Sequence, residues 1–201
     1  MTEPLKRRGD PQVILLAGPN GAGKSTTARS LLKGALAVQE FVNADEVARG
    51  LSAFSPERVS LAAGRVMVRR LRELAARRAS FGFETTLAGR SFAPWLARLQ
   101  EAGYMFHLVF LWLRSADVAA ARVAERVSLG GHHVPEKAIR RRYAAGILNF
   151  FRLYQPAADS WRLYDNSDPG GPRLVAAGGR RRPTRARERV LWEHLRARWT
   201  T

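Results

Sequence analysis

Gly18-Pro19-Asn20-Gly21-Ala22-Gly23-Lys24-Ser25-Thr26 follows the apolar run Val13-Ile14-Leu15-Leu16-Ala17 and precedes Thr27 to Leu36, a segment of helical character. The nine residues fit G-x-x-x-x-G-K-[ST], the phosphate-binding loop, in the strand–loop–helix setting that the pattern needs. Glycines let the backbone curl so that successive N–H groups point inward at an anion, and the helix N-terminus adds its dipole. Residues Gly18 to Thr26 are therefore expected to cradle the phosphates of a nucleoside triphosphate. Lys24 would reach the β/γ-phosphates, and Ser25 would ligate Mg²⁺.

Outward from that loop the chain alternates strand-like and helix-like runs. Val38 to Val42 reads as a second strand, ending in Asn43-Ala44-Asp45-Glu46. Ser55-Pro56-Glu57 opens a helix in which Val59, Ala63, Val66, Met67, Leu71 and Leu74 face inward, with Arg69, Arg70, Arg72, Arg77 and Arg78 solvated. Phe81 to Phe83 is a third strand running into Glu84-Thr85-Thr86; a helix with Phe92, Trp95, Leu96 and Leu99 inside follows. Tyr104 to Leu113 is apolar enough for a central strand covered on both faces, with His107 as a packed core residue. Ser115 caps the next helix, and Gly130-Gly131-His132-His133-Val134-Pro135 breaks it from a long one bearing Ile139, Tyr143, Ile147, Phe150 and Tyr154 on one stripe. Trp161 to Tyr164 reads as the last core strand and Arg173 to Ala177 as a short edge strand. Gly178 to Pro183 reads as a linker, and Thr184 to Trp199 as a closing helix with Val190, Leu191, His194 and Leu195 inside.

This alternation predicts an α/β fold with a mainly parallel sheet. A length of 201 residues suits one domain, with its core over about 12–178, a helical lid over about 122–142 and the closing helix over about 184–199. The polar, basic start, Met1 to Asp10, is a loose lead-in, and no apolar run approaches the ~20 residues of a membrane span, so a cytoplasmic protein is expected. The absence of cysteine excludes disulfides and thiolate–metal sites. The formal charge of +17 comes from 34 basic residues, of which only 4 are lysine. So strong an arginine bias points to solvated helix faces, and no recognition motif accompanies it, so nucleic acid is not the expected partner.

Chemistry follows from the polar strand ends. Asp45 lies 21 residues after Lys24, at the carboxyl end of a strand, where open α/β sheets bind ligands. There it is placed to accept the proton of an attacking hydroxyl; the same position would also serve as a helix N-cap. Glu84, at the next strand end, is placed to contact the acceptor or a Mg²⁺-bound water. Arg122 and Arg126, one helical turn apart, and Arg140, Arg141 and Arg142 beyond the Gly-Gly break would fold over ATP and exclude water. Two other classes of P-loop protein lack support. Tyr104 to Leu113 ends in Arg114-Ser115-Ala116-Asp117 rather than the Asp-Glu of a motor ATPase, and no Asn-Lys-x-Asp guanine-reading motif is present.

Together these residues resemble the zeta toxin family of P-loop kinases, in its shorter bacterial branch. The resemblance runs from Val13 to about Val175. It is carried by Gly18 to Thr26, Phe-Val-Asn-Ala-Asp-Glu-Val-Ala (41–48), Phe-Glu-Thr-Thr-Leu-Ala-Gly (83–89), Gly-Gly-His-His-Val-Pro (130–135) with Ile139 to Tyr143, and Tyr164-Asp165-Asn166-Ser167. It implies transfer of the ATP γ-phosphate, with Mg²⁺, to a hydroxyl of a nucleotide-activated sugar such as UDP-N-acetylglucosamine, and an antitoxin as partner. By motif position Lys24 matches the phosphate-binding lysine, Asp45 the catalytic aspartate, Glu84 the third-strand glutamate and Arg126 the first lid arginine. The second lid arginine is Arg141 or Arg142: Arg141 is assigned to transfer and Arg142 to substrate, while helical geometry leaves the choice open. Arg122 and Asn166 join the nucleotide side, and Asn43 and Thr85 the acceptor side. The chain lacks the long carboxy-terminal extension of the larger toxins, so the reaction type carries over better than the acceptor.

Overall fold

A computed structural model describes residues 10–33, 38–52, 56–131 and 133–200. The lead-in before residue 10, Leu31, Leu32 and Leu36 as the inner side of the first helix, the cap at Ser55 and His132 of the Gly-Gly break fall outside the described residues and side chains.

Seven strands form one sheet. In chain order they are β1 (Gln12–Ala17), β2 (Glu40–Val42), β3 (Phe81–Thr85), β4 (Met105–Trp112), β5 (Ser160–Asp165), β6 (Arg173–Gly179) and β7 (Arg182–Ala186). The helices are α1 (Lys24–Lys33), α2 (Ala44–Leu51), α3 (Ser60–Ala76), α4 (Phe92–Glu101), α5 (Ala116–Ser128), α6 (Glu136–Asn149), the short α7 (Gln155–Ala157) and α8 (Arg189–Trp199). Across the sheet the order is β2-β3-β1-β4-β5-β6-β7. The first five strands are parallel and the last two antiparallel. The expected α/β class with a mainly parallel sheet is what forms.

The centre sits where the apolar runs place it. Val13, Leu15 and Ala17 of β1 and Phe106, Phe110 and Leu111 of β4 are fully buried, because helices cover both faces of a parallel sheet. His107 hydrogen-bonds Ser160 at 2.7 Å as part of that packing. Register matters more than burial for function. Val42 pairs with Phe83 and Phe83 with Leu15. The residues that follow β2, β3 and β1 therefore emerge side by side at one edge, so Asn43, Glu84 and the Gly18 loop are neighbours before any side chain is considered.

Several expected elements change. Pro56–Val59 is a 3₁₀ turn, and α3 starts only at Ser60. The inward face of α3 is Ala63, Met67, Leu71 and Leu74. The stripe from Ile139 to Tyr154 is buried throughout, yet Phe150–Tyr154 is a π turn. Its extra residue brings Phe150, Phe151 and Tyr154 inward together, as one-turn π bulges do within α-helices.

The carboxy-terminal part departs furthest from expectation. β6 reaches Gly179 and is not an edge; the segment read as a linker and helix start contains β7, whose five residues are all exposed. An exposed edge strand carries no alternating apolar signal, so pairing with β6 alone defines it. α8 begins at Arg189 and is turned relative to the expected face: Trp192 and Leu195 are buried, Val190 is 84% exposed, and His194 also faces outward. Trp192 stacks on Trp161 with centroids 5.2 Å apart; this large aromatic contact decides the rotation. No described helix is long and apolar enough to cross a membrane.

Candidate active site

The loop between β1 and α1 is shaped by glycines in backbone regions that side chains avoid. Gly21 has φ +76°, and a Cβ there would lie 2.8 Å from the Ala119 carbonyl of α5. Only glycine lets the loop lie this close to α5. The loop is anchored on both sides. Gly18 N–H donates to Thr85 O at 3.3 Å, and the Asn166 side-chain amide donates to Ala22 O at 2.9 Å.

Lys24 is buried, with 7% of its surface exposed. Its ammonium donates to Pro19 O at 2.9 Å and lies 3.7 Å from Glu84 Oε1. Burial pushes its pKa below the ordinary 10.5, outweighing the opposing pull of Glu84 and Asp45; nearby Arg126 adds to the lowering. Glu84 Oε2 accepts from Ser25 Oγ at 2.9 Å and from Asn43 Nδ2 at 3.0 Å. Asn43 also reaches Ser25 Oγ at 3.3 Å.

Asn43 is the N-cap of α2: its Oδ1 accepts from Asp45 N–H at 2.8 Å. The cap open to Asp45 on sequence grounds thus belongs to Asn43. Asp45 sits in the first turn of α2, exposed at the cavity. No side-chain hydrogen bond engages its carboxylate among the described residues.

A cavity of about 480 Å³ gathers these groups. Asn20, Gly21, Gly23, Lys24, Ser25 and Thr26 line it from the loop and the start of α1; Asn43, Asp45, Glu84 and Thr85 line it at the strand ends; Arg122, Arg126 and Arg142 come from α5 and α6. Gly18, Pro19 and Ala22 shape the loop without reaching the wall, and Asn166 supports the loop from behind.

The structure places the candidate arginines differently from one another. Arg142 lines the cavity and Arg141 does not; Arg141 is exposed beside it. Tyr143 is buried and bonded to Leu113 O at 2.6 Å. This contact fixes α6 so that position 142, one residue before the core stripe, turns to the site. Arg122, read as a nucleotide contact, spends its guanidinium on Asn166 O at 2.6 Å and Ser167 O at 2.9 Å. It ties α5 to the loop that holds Ala22. Arg140 pairs with Asp117 at 2.6 Å and Glu136 at 2.7 Å on the outside.

Other wall residues escaped sequence reading. Met67 and Phe92 read as core stripes and Val134 as part of a turn, yet all three line the cavity, as do Ser60, Thr86 and Arg49. Behind it, Asn149 Nδ2 donates to Leu87 O at 2.7 Å, and Tyr154 donates to Gly89 O at 2.9 Å. These bonds hold the 86–89 loop against the end of α6 and the π turn.

The residues fit a nucleoside triphosphate and Mg²⁺. Pro19 O uses one of the three ammonium hydrogens of Lys24, leaving donors suited to phosphate oxygens. The Ser25 hydroxyl and Glu84 carboxylate are hard oxygen ligands of the kind Mg²⁺ takes. The acid beside Ser25 comes from β3, which pairs directly with β1, whereas β4 runs on into Leu113 and Arg114 with no acidic pair.

Comparison with known proteins agrees with this architecture. An uncharacterized protein of Haemophilus influenzae is 30% identical over 132 residues, covering 66% of this chain and 92% of that protein. Among solved structures, the AvrRxo1-ORF1:-ORF2 complex with ATP matches with a TM-score of 0.75 at 18% identity, over 92% of this chain. This chain spans only 63% of the matched AvrRxo1 chain. The PezAT chromosomal toxin–antitoxin system of Streptococcus pneumoniae matches with a TM-score of 0.64 at 19% identity, over 96% of this chain and 81% of the other. The AAA domain family AAA_33 matches residues 13–145, from β1 into α6 and so across the whole cavity. The chain belongs to that family, on a P-loop kinase-like fold.

Proposed function

We propose that this chain is an ATP- and Mg²⁺-dependent kinase of the cytoplasm that transfers the γ-phosphate to a hydroxyl of a small-molecule acceptor. The acceptor class is a UDP-activated sugar such as UDP-N-acetylglucosamine, and the action is toxin-like, with an antitoxin as partner. One observation carries the reaction type: Asp45 and Glu84, from adjacent parallel strand ends, share one cavity with Lys24, Arg126 and Arg142. The same cavity also has Met67, Phe92 and Val134 in its wall, apolar surface that supports room for an acceptor beside the nucleotide. The likeness to the AvrRxo1-ORF1:-ORF2 complex with ATP and to the PezAT toxin–antitoxin system supports the donor and partner.

In this reading Lys24 and the loop N–H groups hold the β/γ-phosphates. Bound Mg²⁺ would supply charge neutralisation on those oxygens, held by Ser25 with Glu84 beside it. Asp45 accepts the hydroxyl proton of the acceptor as its oxygen bonds to the γ-phosphorus; the bond to the β–γ bridging oxygen breaks and ADP leaves. Arg126 and Arg142 stabilise charge on the transferred group, and the segment 122–142 closes over it as a lid of a single kinase domain. Excluding water there favours transfer over hydrolysis.

Incubation with ATP, Mg²⁺ and a panel of UDP-sugars, with products read by mass spectrometry, tests the acceptor. Asp45→Ala should lower transfer by about 10²–10⁴-fold while ATP still binds. Near-normal turnover in that variant would remove Asp45 as the base. Activity on another metabolite alone would replace the acceptor class and keep the kinase.

A further inference from the structure

The sequence reading gives Asn43 to the acceptor, but its amide is already engaged. Asn43 is 8% exposed. Its Oδ1 accepts from Asp45 N–H at 2.8 Å, and its Nδ2 donates to Glu84 Oε2 at 3.0 Å and Ser25 Oγ at 3.3 Å. The orientation of the amide is unambiguous: a backbone N–H can only donate, and an ionised carboxylate can only accept. Both amide hydrogens face protein oxygens, so little is left with which to grip a substrate.

We propose that Asn43 is a positioning residue: one side-chain amide, bonded to Asp45 N–H on one side and to Glu84 and Ser25 on the other, sets the spacing between the base and the Mg²⁺-facing pair. The proposal rests on the kinase reading above for the roles of Asp45 and Glu84. The residue type is tightly constrained. Aspartate could cap α2 but would face Glu84 with a second carboxylate. Serine could cap α2, but it has no second arm to reach Glu84. Asn43 follows β2 directly and Glu84 lies within β3, so the parallel register of Val42 with Phe83 brings the amide to the carboxylate. A one-residue slip of β2 would separate them. The amide holds Glu84 Oε2 beside Ser25, while the other carboxylate oxygen, Oε1, pairs with the Lys24 ammonium at 3.7 Å.

The test uses Asn43→Ser, Asn43→Asp and Asn43→Ala in the full chain, with two readouts. The first is binding of a non-hydrolysable ATP analogue titrated with Mg²⁺ by calorimetry, which needs no acceptor. The second is phosphoryl transfer on whichever acceptor the panel identifies. Asn43→Ser keeps the cap and should lower the unfolding midpoint less than Asn43→Ala, while the Mg²⁺ needed for half-maximal nucleotide binding rises about 10–100-fold, the usual effect of losing a partner behind a metal ligand. In transfer it should lower kcat and leave the acceptor KM unchanged. Asn43→Asp keeps the cap but removes the donor to Glu84, so it should change the Mg²⁺ requirement as well. Asn43→Ala should lower the unfolding midpoint as well, since the cap is lost.

An unchanged Mg²⁺ requirement in both Asn43→Ser and Asn43→Asp overturns the proposal. So does a raised acceptor KM with normal Mg²⁺ linkage, which would return Asn43 to substrate contact. If the wild-type chain transfers phosphate to nothing tested, the kinase reading fails, and the Mg²⁺-linked binding still judges Asn43.

Discussion

Asn149 offers a sharp test of how the 86–89 loop beside the cavity is held in place. It is 3% exposed at the end of α6 and donates to Leu87 O at 2.7 Å and Ala88 O at 3.3 Å. Leu87 is itself fully buried with a left-handed backbone, φ +57°, a conformation that costs roughly 1–2 kcal/mol outside glycine. The loop that follows Glu84 and Thr85 is therefore held in a strained shape by an amide from across the site. Asn149→Leu keeps nearly the same volume and removes the donor. The Leu87 carbonyl then stays buried without a partner, at a cost of about 1–3 kcal/mol. The 3.3 Å bond is long and adds little. With a urea m-value of about 2 kcal/mol/M, the unfolding midpoint should fall by roughly 0.5–1.5 M, with m unchanged. Tryptophan fluorescence can report this, because Trp161 and Trp192 stack in the core. Asn149→Asp should be worse than Asn149→Leu, since it places an acceptor and a buried charge against two carbonyls, and its loss should ease as the pH falls and the carboxylate neutralises. A wild-type midpoint for Asn149→Leu, or Asn149→Asp no worse than Asn149→Leu, refutes the reasoning.

Lys24→Met should abolish phosphoryl transfer yet make the nucleotide-free chain more stable at pH 7, a trade of stability for function. The Lys24 pKa is lowered in the folded chain, chiefly by burial, so folding disfavours its proton. The stability due to this group is fully present above 10.5, the unfolded value, and is lost as pH falls through the depressed folded pKa. Thermal melts without nucleotide should show the Met variant above wild type at pH 7 and the gap closing toward pH 10.5; a Met variant less stable at neutral pH contradicts this. Arg142→Ala should cost about 10²-fold or more in kcat/KM, as loss of a donor to developing charge does, while Arg141→Ala should cost far less. Equal losses would place both side chains on the substrate.

Sequence and structure agree where local chemistry is strong. The P-loop pattern, the apolar runs of β1 and β4, the stripe from Ile139 to Tyr154 and the polar ends after Val42 and Phe83 all stand where the sequence reading puts them. Each is a short-range signal that a window of ten or so residues carries. β7 and the rotation of α8 were illegible for the opposite reason. Arg182 to Ala186 forms a strand only because β6 offers an edge, and Trp192 turns inward only because Trp161 is there to meet it. The arginines were the hardest to place. With 30 in the chain, type and motif position nominate too many, and only packing separates Arg142 on the wall from Arg141 beside it, or marks Arg122 as a tie to the backbone of Asn166 and Ser167.

The sequence alone determined that nine residues, Gly18 to Thr26, form a glycine-rich P-loop between a strand and a helix and that acids follow two neighbouring strands, since glycine placement, helix signals and strand periodicity are written locally. Only the tertiary structure decided how those acids are placed. The parallel register of β2, β3 and β1 sets Asn43 between Asp45 and Glu84 and lays Glu84 against Ser25. A spacing of 41 residues between Asn43 and Glu84 says nothing about a 3.0 Å hydrogen bond until the sheet brings them together.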